Sequence, residues 1–189
     1  IFGSTSKKIK SYLLIGNKFH INSKIREDGR LGYLKVEIDE IKTPVYLENK
    51  KKLFCIIYCM NLIKILTAEN ENNIEIYNLL EKLFKLIESD NWLVEFLYLE
   101  LNILKSVGYD INFRDYVVDK NINGQIKYIV DSSQKIIPNF LIDKNISPEN
   151  LKDIYNGFSI VGDFLDKTII KPNNKNYPSS RNDFINLLK

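Results

Sequence analysis

The stretch NWLVEFLYLELNILKSVGYDINFRD, residues 91–115, decides the fold of this chain, because it encodes a helix together with its end. Its apolar residues recur at steps of three and four, which is the spacing of a helix with one broad buried stripe. The helix is predicted to end at Gly108, since glycine adopts the left-handed conformation after a last helical turn without steric cost. The stripe consists of Trp92, Leu93, Phe96, Leu97, Leu101, Leu104 and Val107.

Further helices are predicted on both sides of this stretch. Residues 53–66 and residues 76–87 keep the helical period, and the second segment carries Glu and Lys opposite its apolar face. Short polar runs join these segments, so the three helices are expected to pack as antiparallel neighbours. Farther along the chain, Ser147 and Pro148 predict the start of another helix, and Ser179 is placed to cap a short last one.

Before the helices, apolar residues recur at every second position. This is the spacing of a strand with one buried and one solvent-exposed face. Residues 19–25 and residues 34–38 both alternate between apolar and polar side chains. The run Glu27-Asp28-Gly29 between them has turn chemistry, so the two segments predict a β-hairpin. Pro44 ends this β region.

The long helix and its ending resemble the central helix of the bacterial RecO family, the recombination mediators of the RecFOR pathway. An aromatic start, Phe96, Glu100 and Leu101 in the middle, and a Val-Gly-Tyr-Asp-Ile ending carry the resemblance. Upstream, the run Arg30-Leu31-Gly32-Tyr33 and the alternating segment after it look like the later part of that family's N-terminal OB fold.

The resemblance extends over almost the whole chain. Residues 157–165 (GFSIVGDFL) and 178–188 (PSSRNDFINLL) look like the last two helices of the family's alphaproteobacterial branch. The implied class is α+β, with a truncated, OB-like β domain at residues 1–48 that binds nucleic acid and an all-α helical domain at residues 49–189. Because the chain starts with Ile1 rather than Met, an N-terminally incomplete family member is expected, without the opening OB strands.

Positive charge is concentrated at the front of the chain. Residues 1–59 carry 12 Lys and Arg against 6 Asp and Glu, whereas the remainder carries 15 against 18. A basic N-terminal segment is typical of a region that binds nucleic acid. However, Lys outnumbers Arg by 23 to 4 in a composition typical of AT-rich genomes. A solvated, lysine-rich surface is therefore the alternative interpretation of the same charge.

The candidate DNA-binding residues surround the predicted hairpin. An OB-type surface binds a single strand with cations along the phosphates and aromatic rings beneath the bases. Tyr12, Phe19 and Tyr33 are interspersed with the basic residues, although Phe19 also fits a core position. The resemblance singles out Lys7 and Lys8, which match the basic segment after the first glycine of the family's OB loop. The candidates are Lys7, Lys8, Lys10, Lys18, Lys24, Arg26, Arg30 and Lys35.

The sequence predicts no catalytic residue, metal site or cofactor. Cys55 and Cys59 lie four apart on a predicted helix, and with one distant histidine they cannot complete a four-ligand zinc site. We interpret them as buried structural cysteines. Some RecO proteins carry a zinc-binding cysteine cluster after the central helix, but residues 112–123 contain no cysteine. His20 lacks a paired nucleophile and acid, so it is interpreted as a surface strand residue.

The resemblance implies a non-enzymatic role in recombinational DNA repair. Family members bind single- and double-stranded DNA, contact RecR and the single-stranded DNA-binding protein, anneal complementary strands and help to load RecA at gaps. The sequence shows neither an apolar run of about 18 residues nor a secretory signal, so a cytoplasmic protein that does not span a membrane is expected. The alternative is a helical protein–protein interaction module that has lost DNA binding.

Overall fold

A computed structural model describes residues 11–24, 32–68, 71–122, 124–130 and 135–189. This part of the chain mixes helices with two small antiparallel sheets, which confirms the α+β class. The strands are β1 (Lys18–Lys24), β2 (Tyr33–Glu40), β3 (Val117–Ile122), β4 (Gln125–Val130) and β5 (Ile136–Ile137). The helices are α1 (Lys50–Leu66), α2 (Ile74–Leu86), α3 (Trp92–Ser106), α4 (Asn139–Ile142), α5 (Leu151–Phe164) and α6 (Ser179–Asn186).

The front hairpin (β1 and β2) is the antiparallel pair that the two-residue period predicts. Phe19 lies opposite Ile38 and Ile21 opposite Val36, so the apolar residues share one face. The turn predicted at residues 27–29 lies outside the described residues. A two-stranded sheet agrees with β structure at the front and leaves the OB fold as a prediction.

Helices α1, α2 and α3 are the three that the apolar period predicts. Helix α3 ends as expected, because Gly108 has a φ of 93°. The N–H of Gly108 donates to the Lys105 carbonyl at 3.0 Å, and the N–H of Tyr109 donates to the Leu104 carbonyl at 2.9 Å. These two bonds form a Schellman motif, which satisfies carbonyl groups of the last turn. No helix among the described residues has the length and apolar character needed to cross a membrane.

The prediction of an all-α region over residues 49–189 is wrong in its middle part. Strands β3, β4 and β5 form a three-stranded antiparallel sheet in that order. The polar centre of β3, VVDKNI, obscures the alternation that would have indicated this sheet. The dipeptide Asn123-Gly124, typical of two-residue hairpin turns, is the signal that could have revealed the hairpin.

Two helix starts also differ from the predictions. Helix α5 begins after Asn150, whose side chain accepts a hydrogen bond from the Asp153 N–H at 3.1 Å. Asn150 therefore caps α5, and Ser147 does not. Helix α6 begins at Ser179 behind Pro178, and among the described residues no side chain caps it. Since Asn and Ser are about equally good caps, sequence alone does not choose between Ser147 and Asn150.

The core of the helical body (α1–α6 with β3–β5) is centred on an aromatic cluster. The Phe184 ring of α6 lies 5.4 Å from that of Phe158, 5.5 Å from that of Phe96 and 6.3 Å from that of Tyr58. All four side chains are completely buried. Aromatic pairs of this kind contribute about 0.5–1.5 kcal/mol each beyond the burial of their area. The cluster thus holds the short helix α6 against α1, α3 and α5.

A charged pair lies within this core. Arg181 of α6 is 3% exposed and Glu100 of α3 is 0% exposed, and Arg181 Nη2 lies 3.2 Å from Glu100 Oε1. The Tyr58 hydroxyl donates to the same carboxylate oxygen. Arg181 also donates to the Tyr58 hydroxyl at 3.0 Å and to the Phe158 carbonyl at 2.7 Å. Burial is the largest single effect and lowers the pKa of Arg181, but the interactions with Glu100, Tyr58 and Tyr177 together outweigh it and raise the pKa.

We expect the Arg181→Met substitution to destabilise the protein strongly, because it would leave Glu100 charged and buried. Breaking one side of a buried pair costs about 3–5 kcal/mol, whereas replacing both partners by apolar residues is often neutral. In urea unfolding, Arg181→Met should lower the free energy of unfolding by about that amount, and adding Glu100→Leu should recover most of the loss. As a control, Lys171→Met breaks a more exposed ion pair with Asp166 and should cost about 0–1 kcal/mol. Equal losses for Arg181→Met and Lys171→Met would contradict this.

Cys55 and Cys59 are buried structural cysteines, as the sequence predicts. Both are free and 0% exposed. Burial raises the pKa of both thiols above the ordinary value for cysteine. Since the thiolate is the reactive form, both features protect the two side chains from thiol reagents.

We expect neither thiol to react with Ellman's reagent in the folded protein at mildly alkaline pH. Both should react together once the protein unfolds, so the labelling rate, measured against urea concentration, should follow global unfolding. The destabilised Arg181→Met variant should be labelled faster under the same conditions. Rapid labelling of the folded wild-type protein would show that the environment of these cysteines is more open.

Candidate nucleic-acid interface

Three of the predicted DNA-binding residues lie on the described strands of the front hairpin. Lys24 and Lys35 share one face, because Lys35 pairs with Asn22, two residues before Lys24. The pairing register shifts between Lys18 and Phe19, so Lys18 lies at an irregular end of the hairpin. Phe19, predicted beside these cations, belongs to the opposite, apolar face. The remaining candidates lie outside the described residues, so their role stays a prediction: Lys7, Lys8, Lys10, Arg26 and Arg30.

The charges of the two strands cancel. The strand sequences KFHINSK and YLKVEIDE contain three lysines and three carboxylates. Lys35 Nζ lies 2.6 Å from Glu37 Oε1, and both side chains are more than half exposed. The hydrogen bond between them raises the pKa of Lys35 and lowers that of Glu37. The two strands together therefore contribute no net positive charge.

Lys18 is held by carboxylates from both the hairpin and α2. Its Nζ atom lies 3.1 Å from Glu40 Oε1, 3.6 Å from Asp39 Oδ2 and 3.9 Å from Glu81 Oε1. The Tyr77 hydroxyl and the Glu40 carboxylate raise the pKa of Lys18 above its ordinary value. The side chain is therefore charged at neutral pH and already paired.

Lys42, which the sequence analysis did not select, lies beside these groups. Its Nζ atom is 3.2 Å from Glu40 Oε2 and 3.3 Å from Glu81 Oε2. The same ammonium group lies 4.7 Å from the centroid of the Phe84 ring, and the Lys42 side chain is only 12% exposed. Glu40 and Glu81 thus each bridge Lys18 and Lys42.

An exposed aromatic ring completes this group of residues. Tyr77 has the spacing of the apolar stripe of α2, yet its side chain is 47% exposed, whereas that of Ile76 is 4% exposed. The Lys18 Nζ atom lies 5.8 Å from the centroid of the Tyr77 ring. The direct sequence neighbour of a deeply buried helix residue points about 100° away around the helix. This offset is the signal that could have identified Tyr77 as a surface residue.

Hydrogen bonds close the base of the hairpin, and Gly16 packs this base against α1, where a Cβ atom on Gly16 would come within 2.9 Å of Ile56 Cγ2. The Asn17 side-chain oxygen accepts from the backbone N–H groups of Lys42 at 2.9 Å and Thr43 at 3.1 Å. The Thr43 hydroxyl donates to the Ile15 carbonyl at 2.6 Å. Gly16 has a φ of 90°, and a Cβ atom there would come within 2.4 Å of Thr43 Oγ1. This tight junction places Lys18 and Lys42 next to α2.

The chemistry available at this surface is electrostatic and aromatic. Within the described parts of the chain, no three His, Cys, Asp or Glu side chains are grouped so that they could hold a metal ion. His20 is exposed on β1, as predicted for a surface strand residue. Ammonium groups, carboxylates and a solvent-accessible ring can form ion pairs, hydrogen bonds and stacking contacts with a ligand.

The chain matches the family model described as Recombination protein O C terminal over residues 47–151. The DNA repair protein RecO of Ehrlichia chaffeensis (strain Arkansas) is 27% identical over 160 aligned positions, which cover 81% of this chain and 65% of that protein. The DNA repair protein RecO of Orientia tsutsugamushi (strain Ikeda) is 27% identical over 185 positions, covering 87% of this chain and 75% of the relative. The protein of the same name from Rhodopseudomonas palustris (strain TIE-1) is 22% identical over 206 positions, covering 98% and 81%.

No solved structure matches the chain. The chain spans 65% of the length of the Ehrlichia relative. The matched family region begins just before α1 and includes α1–α3 together with the second sheet. Because this region is more than half of the chain, the protein belongs to the RecO family.

Proposed function

We propose that this protein is a recombination mediator in DNA repair. It binds single- and double-stranded DNA, anneals complementary strands and assists RecA loading at single-stranded gaps, with RecR and the single-stranded DNA-binding protein as partners. Family membership carries the proposal, together with the name DNA repair protein that the relatives bear. The role consists of binding and positioning, so it requires no covalent catalysis.

In this proposal, the N-terminal part of the chain contacts DNA and the helical part contacts the partner proteins. Residues 1–48 form a partial OB-fold, and residues 49–189 form the scaffold that carries it. Two DNA strands that approach each other repel through their phosphates, and basic side chains relieve this repulsion by replacing condensed counterions. The excess of basic residues near the N-terminus, with 12 Lys and Arg against 6 Asp and Glu over residues 1–59, supports this role.

A second candidate function is a helical interaction module that has lost DNA binding. The cancelled charges of β1 and β2 favour it. So do the ion pairs of Lys18 and Lys35 with neighbouring carboxylates, which compete with phosphate groups. Under this alternative the helical body keeps its protein partners, and the front hairpin serves only as a structural cover.

Reversal of the charges of Lys7, Lys8 and Lys10 separates the two candidates. Under the main proposal, changing all three to Glu should reduce affinity for labelled single-stranded DNA by at least about 100-fold, since each phosphate contact carries a share of the electrostatic free energy. Wild-type affinity should also fall linearly in a double-logarithmic plot against salt, by about 0.7 per neutralised phosphate. Fluorescence anisotropy measures both quantities.

The matched control reverses three exposed lysines of the helical body, Lys82, Lys152 and Lys167. It changes the net charge equally, and its affinity should fall much less. Equal losses in the two triple variants would show that only overall charge matters. An affinity that does not depend on salt, or the absence of DNA binding by the wild-type protein, would favour the interaction module.

A further inference from the structure

At the junction between the front hairpin and α2, two lysines and an exposed aromatic ring lie beside three carboxylates, those of Asp39, Glu40 and Glu81. Lys18 and Lys42 approach from the hairpin side, and Tyr77 and Glu81 from α2. We refer to these four residues as the junction cluster. Ammonium groups beside an exposed ring are the combination by which proteins bind single strands, with phosphate on the cations and a base on the ring.

We propose that Lys18, Lys42 and Tyr77 bind one phosphate and an adjacent base of a single-stranded nucleic acid, and that the Glu81 carboxylate occupies the phosphate position in the free protein. This inference rests on the proposed function and deepens it, because it adds a contact to the DNA-binding surface and a group that competes for it. Lys42, Tyr77 and Glu81 lie outside the residues that the sequence predicts for DNA binding.

The position of Glu81 is that of an anion shared by two cations. Its Oε1 atom lies 3.9 Å from Lys18 Nζ, and its Oε2 atom lies 3.3 Å from Lys42 Nζ. Carboxylate and phosphate oxygens both accept charge-assisted hydrogen bonds from ammonium groups. A phosphate that replaces the Glu81 carboxylate would therefore meet both lysines without a rearrangement of the backbone.

The lysines would stay in place when Glu81 leaves. Glu40 accepts from Lys18 at 3.1 Å through one oxygen and lies 3.2 Å from Lys42 through the other. The Phe84 ring supports the Lys42 ammonium group by a cation–π contact. The two cations are therefore positioned before a ligand arrives, which reduces the entropy lost on binding.

A phosphate group can reach the Glu81 position from solvent. The side chain of Glu81 is 34% exposed and that of Lys18 is 30% exposed, while Tyr77 is 47% exposed. The ion pair between Glu81 and Lys18 is partly exposed, so breaking it costs little. The pair with Lys42 is closer and less exposed, because the Lys42 side chain is only 12% exposed. The Tyr77 ring beside Lys18 offers a face on which a base can stack. Stacking of this kind binds single strands with little dependence on their sequence.

The test compares Glu81→Gln with Glu75→Gln, which lies in the first turn of the same helix and changes the net charge equally. The probe is a fluorescein-labelled oligothymidylate, and its affinity is measured by anisotropy at several salt concentrations. Glu81→Gln should raise the affinity about 3- to 10-fold, which corresponds to the removal of two ion pairs. It should also steepen the salt dependence by about 0.7 for each lysine released. Glu75→Gln should leave both quantities nearly unchanged.

Further substitutions in the Glu81→Gln protein test the proposed ligand. Tyr77→Leu should lower the affinity about five-fold or more, whereas Tyr77→Phe, which keeps the ring, should preserve it. Lys42→Met should abolish the gain. Inorganic phosphate offers the same oxygens to the lysines without a base, so it should compete with the oligonucleotide to the same extent in the Tyr77→Phe and Tyr77→Leu proteins. If Tyr77→Leu lowers the affinity for the oligonucleotide no more than Tyr77→Phe does, the site takes a phosphate alone, which would overturn the proposal.

The outcomes distinguish this inference from the proposed function. If the wild-type protein binds the oligonucleotide but Glu81→Gln behaves like Glu75→Gln, the junction cluster is not a binding site. If neither the wild-type protein nor any variant binds, the proposed function itself fails. Should Glu81→Gln unfold, Lys42→Met in the otherwise unchanged protein gives the answer, because its affinity should fall below that of Lys64→Met on the exposed side of α1.

Discussion

The ion pair between Glu100 and Arg181 is the constraint on which the helical body depends. A carboxylate buried without a counter-charge costs several kcal/mol, so α3 cannot bury Glu100 unless α6 brings Arg181 to it. Helix α6 has only eight residues, and isolated helices shorter than about 12 residues are marginal in water. Its helical state therefore relies on docking, to which Phe184 and a 2.9 Å hydrogen bond between Asn61 and Ser180 also contribute.

This packing positions the surface that we relate to DNA. With α1 fixed in the core, the close approach of Gly16 and the hydrogen bonds of Asn17 anchor the front hairpin at its base. The hairpin then presents Lys18 to the carboxylates of α2 rather than to open solvent. Electrostatic attraction to a polynucleotide thus depends on which carboxylates lie near each lysine, and counting lysines along the sequence does not capture this.

The sequence predicts the local features of the fold and misses those that arise from tertiary contacts. The spacing of apolar residues in α1–α3 and the end of α3 at Gly108 depend on residues close together in the chain. Both can therefore be predicted from the sequence alone. Arg181 stands in a polar segment, Ser-Ser-Arg-Asn-Asp, that suggests an exposed helix, yet it is almost completely buried. The pairing of Lys18 with Glu81 joins residues that are distant in sequence, and it exists only because the hairpin docks beside α2.

Native-state hydrogen exchange tests most directly whether the buried pair unites the helical body. If Glu100 and Arg181 lock α6 to the core, the slowest amides of α6 and its C-cap should exchange only through global unfolding. The amide of the C-cap Leu187, which donates to the Asp183 carbonyl, is one of them. Their free energies of opening should then equal those of Leu62 in α1 and Ile103 in α3. Exchange of α6 at a distinctly lower free energy, while α1 and α3 stay protected, would show that α6 undocks by itself and would contradict the central role of the pair.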